Sequence, residues 1–189
     1  KVASALSNHS QEQIGVFMVS LDEVTPLLIQ AYNHPILSKV RWFGSDGTAL
    51  IEKLIKNPES ALFAVNTSFN SPIFSLQYGN QEKLDELLEE IRSRVHVTPS
   101  PYSAVAYDAF WVAALAENVT MLKEGNHTSR EMVDGLKKAI VDTANSYFGV
   151  TGNTSLNAVG DRANGQYDYC KVVAKDVVGT APTFSWYRM

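Results

Sequence analysis

Ile14-Gly-Val-Phe-Met-Val-Ser20 is a continuous apolar run of strand length. A run without apolar/polar alternation predicts a strand covered on both faces, as in parallel sheets. Working outward, Leu27, Leu28 and Ala31 recur at helical spacing until Asn33, His34 and Pro35 stop the helix. Val40 to Phe43 reads as a second strand, closed by Gly44, Ser45, Asp46 and Gly47. Leu50, Ile51, Leu54 and Ile55 then line a helix ending before Asn57 and Pro58, and Ala61 to Val65 predicts a third strand. Strand-helix-strand-helix-strand order implies right-handed crossovers and a parallel sheet, an α/β class.

Composition sets the outer bounds. The chain has 189 residues, a formal net charge of −4, 45% apolar and 19% charged residues, which suits a compact chain rather than a disordered one. Mild acidity, with no basic cluster beyond Lys137 and Lys138, argues against a nucleic-acid partner. The longest apolar run, Ala109 to Ala116, is far short of the roughly 20 residues that span a bilayer. Lys1 stands first and no signal-peptide pattern follows, so a leader has been removed or the chain is a piece of something longer. The one cysteine, Cys170, excludes an intramolecular disulfide framework. Asn-X-Ser/Thr triplets begin at Asn8, Asn66, Asn118, Asn126 and Asn153, five of 12 asparagines. About two are expected by chance, so chance and an extracytoplasmic location explain the excess about equally.

The middle of the chain is helical. Leu84, Leu87, Leu88, Ile91 and Val95 form one face of a helix over Gln81 to Val95. Ser100 and Pro101 open the next, Tyr102 to Asn118, which is apolar almost all round and is expected to be buried between layers. Thr128 to Glu131 form a capping box for a third helix ending near Ile140. The sheet these helices need is not obvious nearby. Phe148 to Thr151 and Gln166 to Val173 are strand candidates, expected to pair as a long hairpin or excursion across Gly160, Asp161, Asn164 and Gly165.

Few residues offer chemistry. The histidines at 9, 34, 96 and 127 keep no metal-ligand spacing, and no phosphate-loop or dinucleotide motif is present, so no metal or cofactor is expected. Ser45 lacks the Gly-X-Ser-X-Gly elbow of a nucleophile. Asn157, Asp161, Asn164 and Asp168 lack calcium-loop spacing and read as a tight turn, and Cys170 reads as a buried, inert thiol. Asp46 is different. It sits just past the carboxyl end of a parallel strand, the edge where open α/β sheets bind ligands. Flanked by Gly44 and Gly47, it can receive an ammonium or amide donor or, equally, cap a helix from Thr48 to Lys56. Ser20 offers a hydroxyl at the same edge, while Asp22 or Glu23 suits the first turn of the following helix.

Three stretches resemble the leucine/isoleucine/valine branch of the type 1 periplasmic solute-binding proteins of ABC importers. They are Ile14 to Ser20 with the Leu27 to Ala31 helix and Arg41-Trp-Phe-Gly-Ser-Asp-Gly47, then Tyr102 to Ala116 with its Tyr107-Asp-Ala109 core, then Phe148-Gly-Val-Thr-Gly152 with Gly160 to Tyr167. The resemblance implies parallel-sheet lobes with flanking helices, here the second half of a two-lobe fold. Residues 1–68 would be part of the second lobe, 69–148 the later part of the first, and 149–189 the return to the second. Family members are about twice this length, which would account for the absent sheet. In their amino-acid receptors an acidic residue in the turn matching Gly44 to Gly47 holds the ligand's ammonium group. The resemblance assigns that role to Asp46, beside Ser45 and Gly47. A residue at the preceding strand end, often aromatic, also faces the ligand; here Ser20 and Leu21 stand there. The groups that hold the ligand carboxylate belong to the absent half, so this chain alone is expected to bind weakly or not at all.

The resulting expectation is a non-enzymatic, extracytoplasmic solute-binding protein, or its C-terminal fragment, that captures an amino-acid-like or amide-like molecule by two-lobe closure. Its partners would be the membrane permease of an ABC importer and the missing N-terminal half or a second copy of the chain. The same fold also serves as the sensing domain of a signalling receptor. A hydrolase or transferase is the least favoured reading, because no nucleophile-base pair is visible.

Overall fold

A computed structural model describes residues 1–77, 79–121, 129–175 and 181–189. The chain divides into two compact units, Lys1–Ile73 with Tyr167–Met189, and Phe74–Gln166.

The first unit is built on a five-stranded sheet. Helix α1 (Val2–Leu6) precedes β1 (Gly15–Met18), α2 (Val24–Tyr32), β2 (Arg41–Gly44), α3 (Glu52–Lys56), α4 (Pro58–Asn66) and β3 (Asn70–Phe74); β6 (Tyr167–Lys175) and β7 (Thr183–Arg188) complete it in the order β1-β2-β3-β6-β7. β1, β2 and β3 run parallel, with Phe17 beside Phe43 and Phe43 beside Asn70. The core lies on one side of this sheet, where Val24, Leu28, Leu54, Phe63 and Ala64 of the helices meet Val16, Trp42, Val172 and Trp186 of the strands. Trp42 stacks edge-on to Phe63 at 5.2 Å and donates its indole N–H to Leu37 O at 2.9 Å.

Four sequence expectations in this unit are corrected. Ala61 to Val65 is helix rather than strand. Asn57 Oδ1 accepts from Glu59 N (3.0 Å) and Ser60 N (3.1 Å), and Pro58 fills the first helical position, a helix start that outweighs an ambiguous apolar run. The third strand follows at β3, after Ser68 turns the chain with φ of 52°. The helix expected from Thr48 is reduced to α3, preceded by a 3-10 turn at Asp46–Thr48. β1 is not covered on both faces. Phe17 and Val19 are 68% and 78% exposed, because the helices pack only against the opposite, Val16 side. Finally, β6 pairs antiparallel with β7, not with the Phe148 region, and Cys170 is buried facing the helices. Burial pushes the Cys170 thiol up, against a smaller opposing pull from Arg188.

In the second unit α5 (Gln81–Val95), α6 (Pro101–Met121) and α7 (Ser129–Ser146) surround a short hairpin, β4 (Phe148–Gly149) with β5 (Gly152–Asn153). Asn80 caps α5 by accepting from Lys83 N at 3.2 Å, and Leu84, Leu87 and Leu88 meet Ala104, Tyr107 and Val150. The α5 ion pairs Arg92–Glu89 and Arg94–Glu90 are exposed and contribute little. α6 departs from its expected all-round burial: Ala104, Asp108, Val112 and Ala116 form one buried line, while Phe110, Val119 and Met121 are exposed. α7 continues past Ile140 to Ser146; the Thr128 of its expected capping box lies outside the described residues. The expected strand Phe148 to Thr151 ends at Gly149; Val150 and Thr151 form the turn into β5, which opens on Gly152 at φ of 97°. Asn157 Oδ1 accepts from Val159 N and Asp161 N at 3.0 and 2.9 Å, so its side chain serves the turn. No described helix is long and apolar enough to cross a membrane.

Candidate functional site

The carboxyl ends of β1 and β2 bring together all the residues singled out at this edge. Ser45 N donates to Met18 O (2.9 Å), continuing the ladder one residue beyond β2. Ser45 Oγ then bridges to the first strand's extension, accepting from Ser20 N at 3.4 Å and donating to Ser20 O at 3.3 Å. The backbone next folds into the 3-10 turn Asp46–Thr48, with Thr48 N bonded to Ser45 O (3.0 Å) and Ala49 N to Asp46 O (3.1 Å). Asp46 thus projects from a one-turn loop at the sheet edge, exposed to solvent. α3 has Ile51 as its N-cap residue, so Asp46 does not occupy the cap position of that helix.

Two glycines make this packing possible. A Cβ on Gly47 would stand 2.6 Å from Leu21 Cδ2 and 2.7 Å from Ser20 O, so the loop lies directly against the end of the first strand. A Cβ on Gly44 would stand 2.0 Å from Thr48 Oγ1 and 2.5 Å from Ser71 Oγ. Both hydroxyl residues are fully buried. Thr48 Oγ1 donates to Ser45 O at 2.7 Å and lies 2.7 Å from Ser71 Oγ, which ties the loop to β3. Beyond it Leu50 holds a left-handed backbone (φ 59°), a strained conformation for a branched side chain, and Trp186 Nε1 donates to Ile51 O at 3.1 Å.

The neighbouring charges are engaged elsewhere. Glu23 Oε2 accepts from Leu21 N (3.2 Å) and Asp22 pairs with Lys53, an exposed pair whose carboxylate raises the Lys53 ammonium above its ordinary value. Leu21 itself is 64% exposed. The loop places an exposed carboxylate, a serine pair and aliphatic surface together, chemistry that suits a ligand with a cationic or amide donor next to an apolar part. Among the described residues no three His, Cys, Asp or Glu side chains stand close enough to hold a metal ion. Thr48 and Ser71 were not foreseen in the sequence. Thr48 adjoins the Gly-Ser-Asp-Gly run, but nothing marks Ser71, 23 residues further on, as its partner.

The second unit holds a different carboxylate. Asp108 is buried and accepts from Val150 N (2.9 Å), Thr151 N (2.8 Å) and Thr151 Oγ1 (2.5 Å), fixing the β4–β5 turn. Arg162 completes the lock, donating to Thr151 Oγ1 (2.8 Å), Thr151 O (3.1 Å) and Asn153 O (2.9 Å). A cavity of about 260 Å³ beside it is lined by Val105, Val112, Ile140 and Ala144, and Asp108's hydrogen bonds are spent on the turn.

The family described as receptor family ligand binding region matches residues 1–174 of the chain. An uncharacterised protein of Methanocaldococcus jannaschii is 32% identical over 157 residues, covering 81% of this chain and 36% of that protein. Among solved structures, an ABC transporter substrate-binding protein from Desulfitobacterium hafniense superposes with a TM-score of 0.55 over 92% of this chain and 43% of its own length, at 16% identity. The chain therefore spans well under half the length of the relatives it matches.

Proposed function

Because the chain belongs to the receptor family ligand binding region family and carries part of a type 1 periplasmic-binding fold, we propose that it is the ligand-capturing portion of an extracytoplasmic solute-binding protein. The ligand is an amino-acid-like or amide-like small molecule, held without chemical turnover as the two lobes of the full-length protein close on it. In this reading the unit of Lys1–Ile73 with Tyr167–Met189 belongs to the second lobe and Phe74–Gln166 to the first, so residues 149–166, expected with the second lobe, go with the first. Asp46 pairs with the ligand's ammonium or amide donor, Ser20 and Ser45 assist, and Leu21 and Gly47 shape the approach. The observation that carries this reading is the loop that displays Asp46 at the carboxyl edge of a parallel sheet, clamped by Ser20, Leu21, Thr48 and Ser71. A carboxylate held on a rigid loop keeps its aim and binds with little ordering cost.

The bare sheet face with Phe17 and Phe43 supports a further part of the reading, since parallel sheets are normally covered on both sides. That cover comes from an N-terminal half of the full-length protein, or from a second copy of the chain. The loaded protein then delivers its ligand to the permease of an ABC importer. The alternative role, sensing within a signalling receptor, draws its support from the description of the matched family. A membrane-spanning helix following the fold in the full-length protein decides for sensing. The ligand class is tested by mass spectrometry of small molecules released from natively purified full-length protein. An amino acid or carboxamide is expected; a phosphorylated metabolite overturns the proposed class, since Asp46 would repel it.

A further inference from the structure

We infer that Thr48 and Ser71 are positioning residues that aim Asp46 at the ligand, an inference that rests on the reading of Asp46 as the ligand's anchor. Thr48 has a single hydroxyl proton, and at 2.7 Å it goes to Ser45 O; the Ser71 hydroxyl, 2.7 Å from Thr48 Oγ1, then donates to Thr48. The result is a two-step relay from β3 to the carbonyl that opens the 3-10 turn, with both hydroxyl residues buried from water and the accepting Ser45 half-buried. In a low-dielectric setting such bonds hold their geometry more firmly than exposed ones. Room for the relay exists only because residue 44 is glycine. On the opposite side of the turn, Ser20 O and Leu21 close against Gly47. Asp46 lies between these two clamps, and its own carbonyl is tied to Ala49 N at 3.1 Å. A buried hydroxyl pair could serve stability alone at many places in a sheet. Here it is bonded to the residue next to Asp46 and to no helix of the core, which directs its effect to the loop.

The test compares Thr48→Val, Ser71→Ala and Thr48→Ser in the full-length protein by amide hydrogen exchange and by calorimetry with L-leucine and with L-asparagine. Thr48→Val and Ser71→Ala are expected to speed exchange at Thr48 and Ala49 about tenfold or more, with the β6–β7 amides unchanged, and Thr48→Ser to restore the parental rates. Affinity for the probe that binds is expected to fall about tenfold in Thr48→Val, with less than a twofold further change when Asp46→Ala is already present. Equal acceleration at the turn and in β6–β7, no recovery in Thr48→Ser, or equal loss of affinity in both backgrounds overturns the inference. Absence of binding by the parent to both probes overturns the ligand class instead, and exchange at Ala49 then decides the positioning by itself. Ser71→Ala retains the Thr48–Ser45 bond, so a reading remains if Thr48→Val does not fold.

Discussion

Asp46 and Asp108 are both carboxylates next to a glycine-containing turn, and they stand in opposite surroundings. Asp108 is sealed inside the second unit with three donors on it, so its charge is spent on holding the β4–β5 turn. Asp46 stands at an open sheet edge, on a loop whose rigidity comes from Ser45, Thr48 and Ser71 rather than from its own burial. The contrast teaches that a carboxylate's role follows from who satisfies it. Asp108 is buried with its oxygens bonded to the turn, whereas Asp46 is exposed on a loop fixed by its neighbours, the placement from which its proposed ligand role is argued.

The comparison breaks most visibly at Asp108. Asp108→Ala strands the amides of Val150 and Thr151 in a buried site, and chemical denaturation should show about 3–5 kcal/mol lost from the second unit. Asp46→Ala, at an exposed position, should change stability by no more than about 0.5 kcal/mol. Similar losses at both positions would erase the distinction.

The same contrast explains what the sequence revealed. Gly44-Ser-Asp-Gly47 after an apolar strand was legible because turn residues and strand ends are local features, and β1, α2 and β2 were legible from their runs and stops. Ala61 to Val65 is ambiguous in sequence because a five-residue apolar run fits strand and buried helix alike; Asn57 and Pro58 hold the deciding information. β7 went unseen although Phe184 and Trp186 alternate with polar neighbours, since nothing local named β6 as its partner. Asp108 was legible only as part of a resemblance. Its donors lie 42 and 43 residues away, a distance at which one sequence carries no pairing signal. Ser71 was hidden for the same reason. The exposure of Phe17 and Phe110 could not be read either, because an apolar face reports the need for a cover and not whether this chain supplies it.

A smaller effect sharpens the comparison at Gly44. Gly44→Ala places a methyl group on Thr48 Oγ1 and Ser71 Oγ, and should cost about 1–3 kcal/mol of stability in denaturant titration. Because the clash falls on the clamp, the Asp46 loop should loosen more than the sheet; uniform loss of amide protection would argue against a dedicated clamp.

The smallest effect concerns the exposed Lys53–Asp22 pair beside the site. The bonded carboxylate raises the Lys53 ammonium above its ordinary value. Its stabilisation is therefore full below the unfolded-state lysine value and disappears as pH rises through the raised folded value. Nuclear magnetic resonance titration should find the Lys53 midpoint above that of other exposed lysines at low salt, and converging with them in high salt. A midpoint equal to theirs at low salt would show that the pair does not persist in solution.

Under the proposed function, Asp46 anchors the ligand while the fold does not depend on it. Calorimetry of the full-length protein and its Asp46→Ala variant, titrated with L-leucine and L-asparagine, tests it directly. The variant is expected to keep its unfolding midpoint and to lose about 2–5 kcal/mol of binding free energy for the probe that the parent binds. Undiminished affinity in a folded Asp46→Ala variant would contradict it.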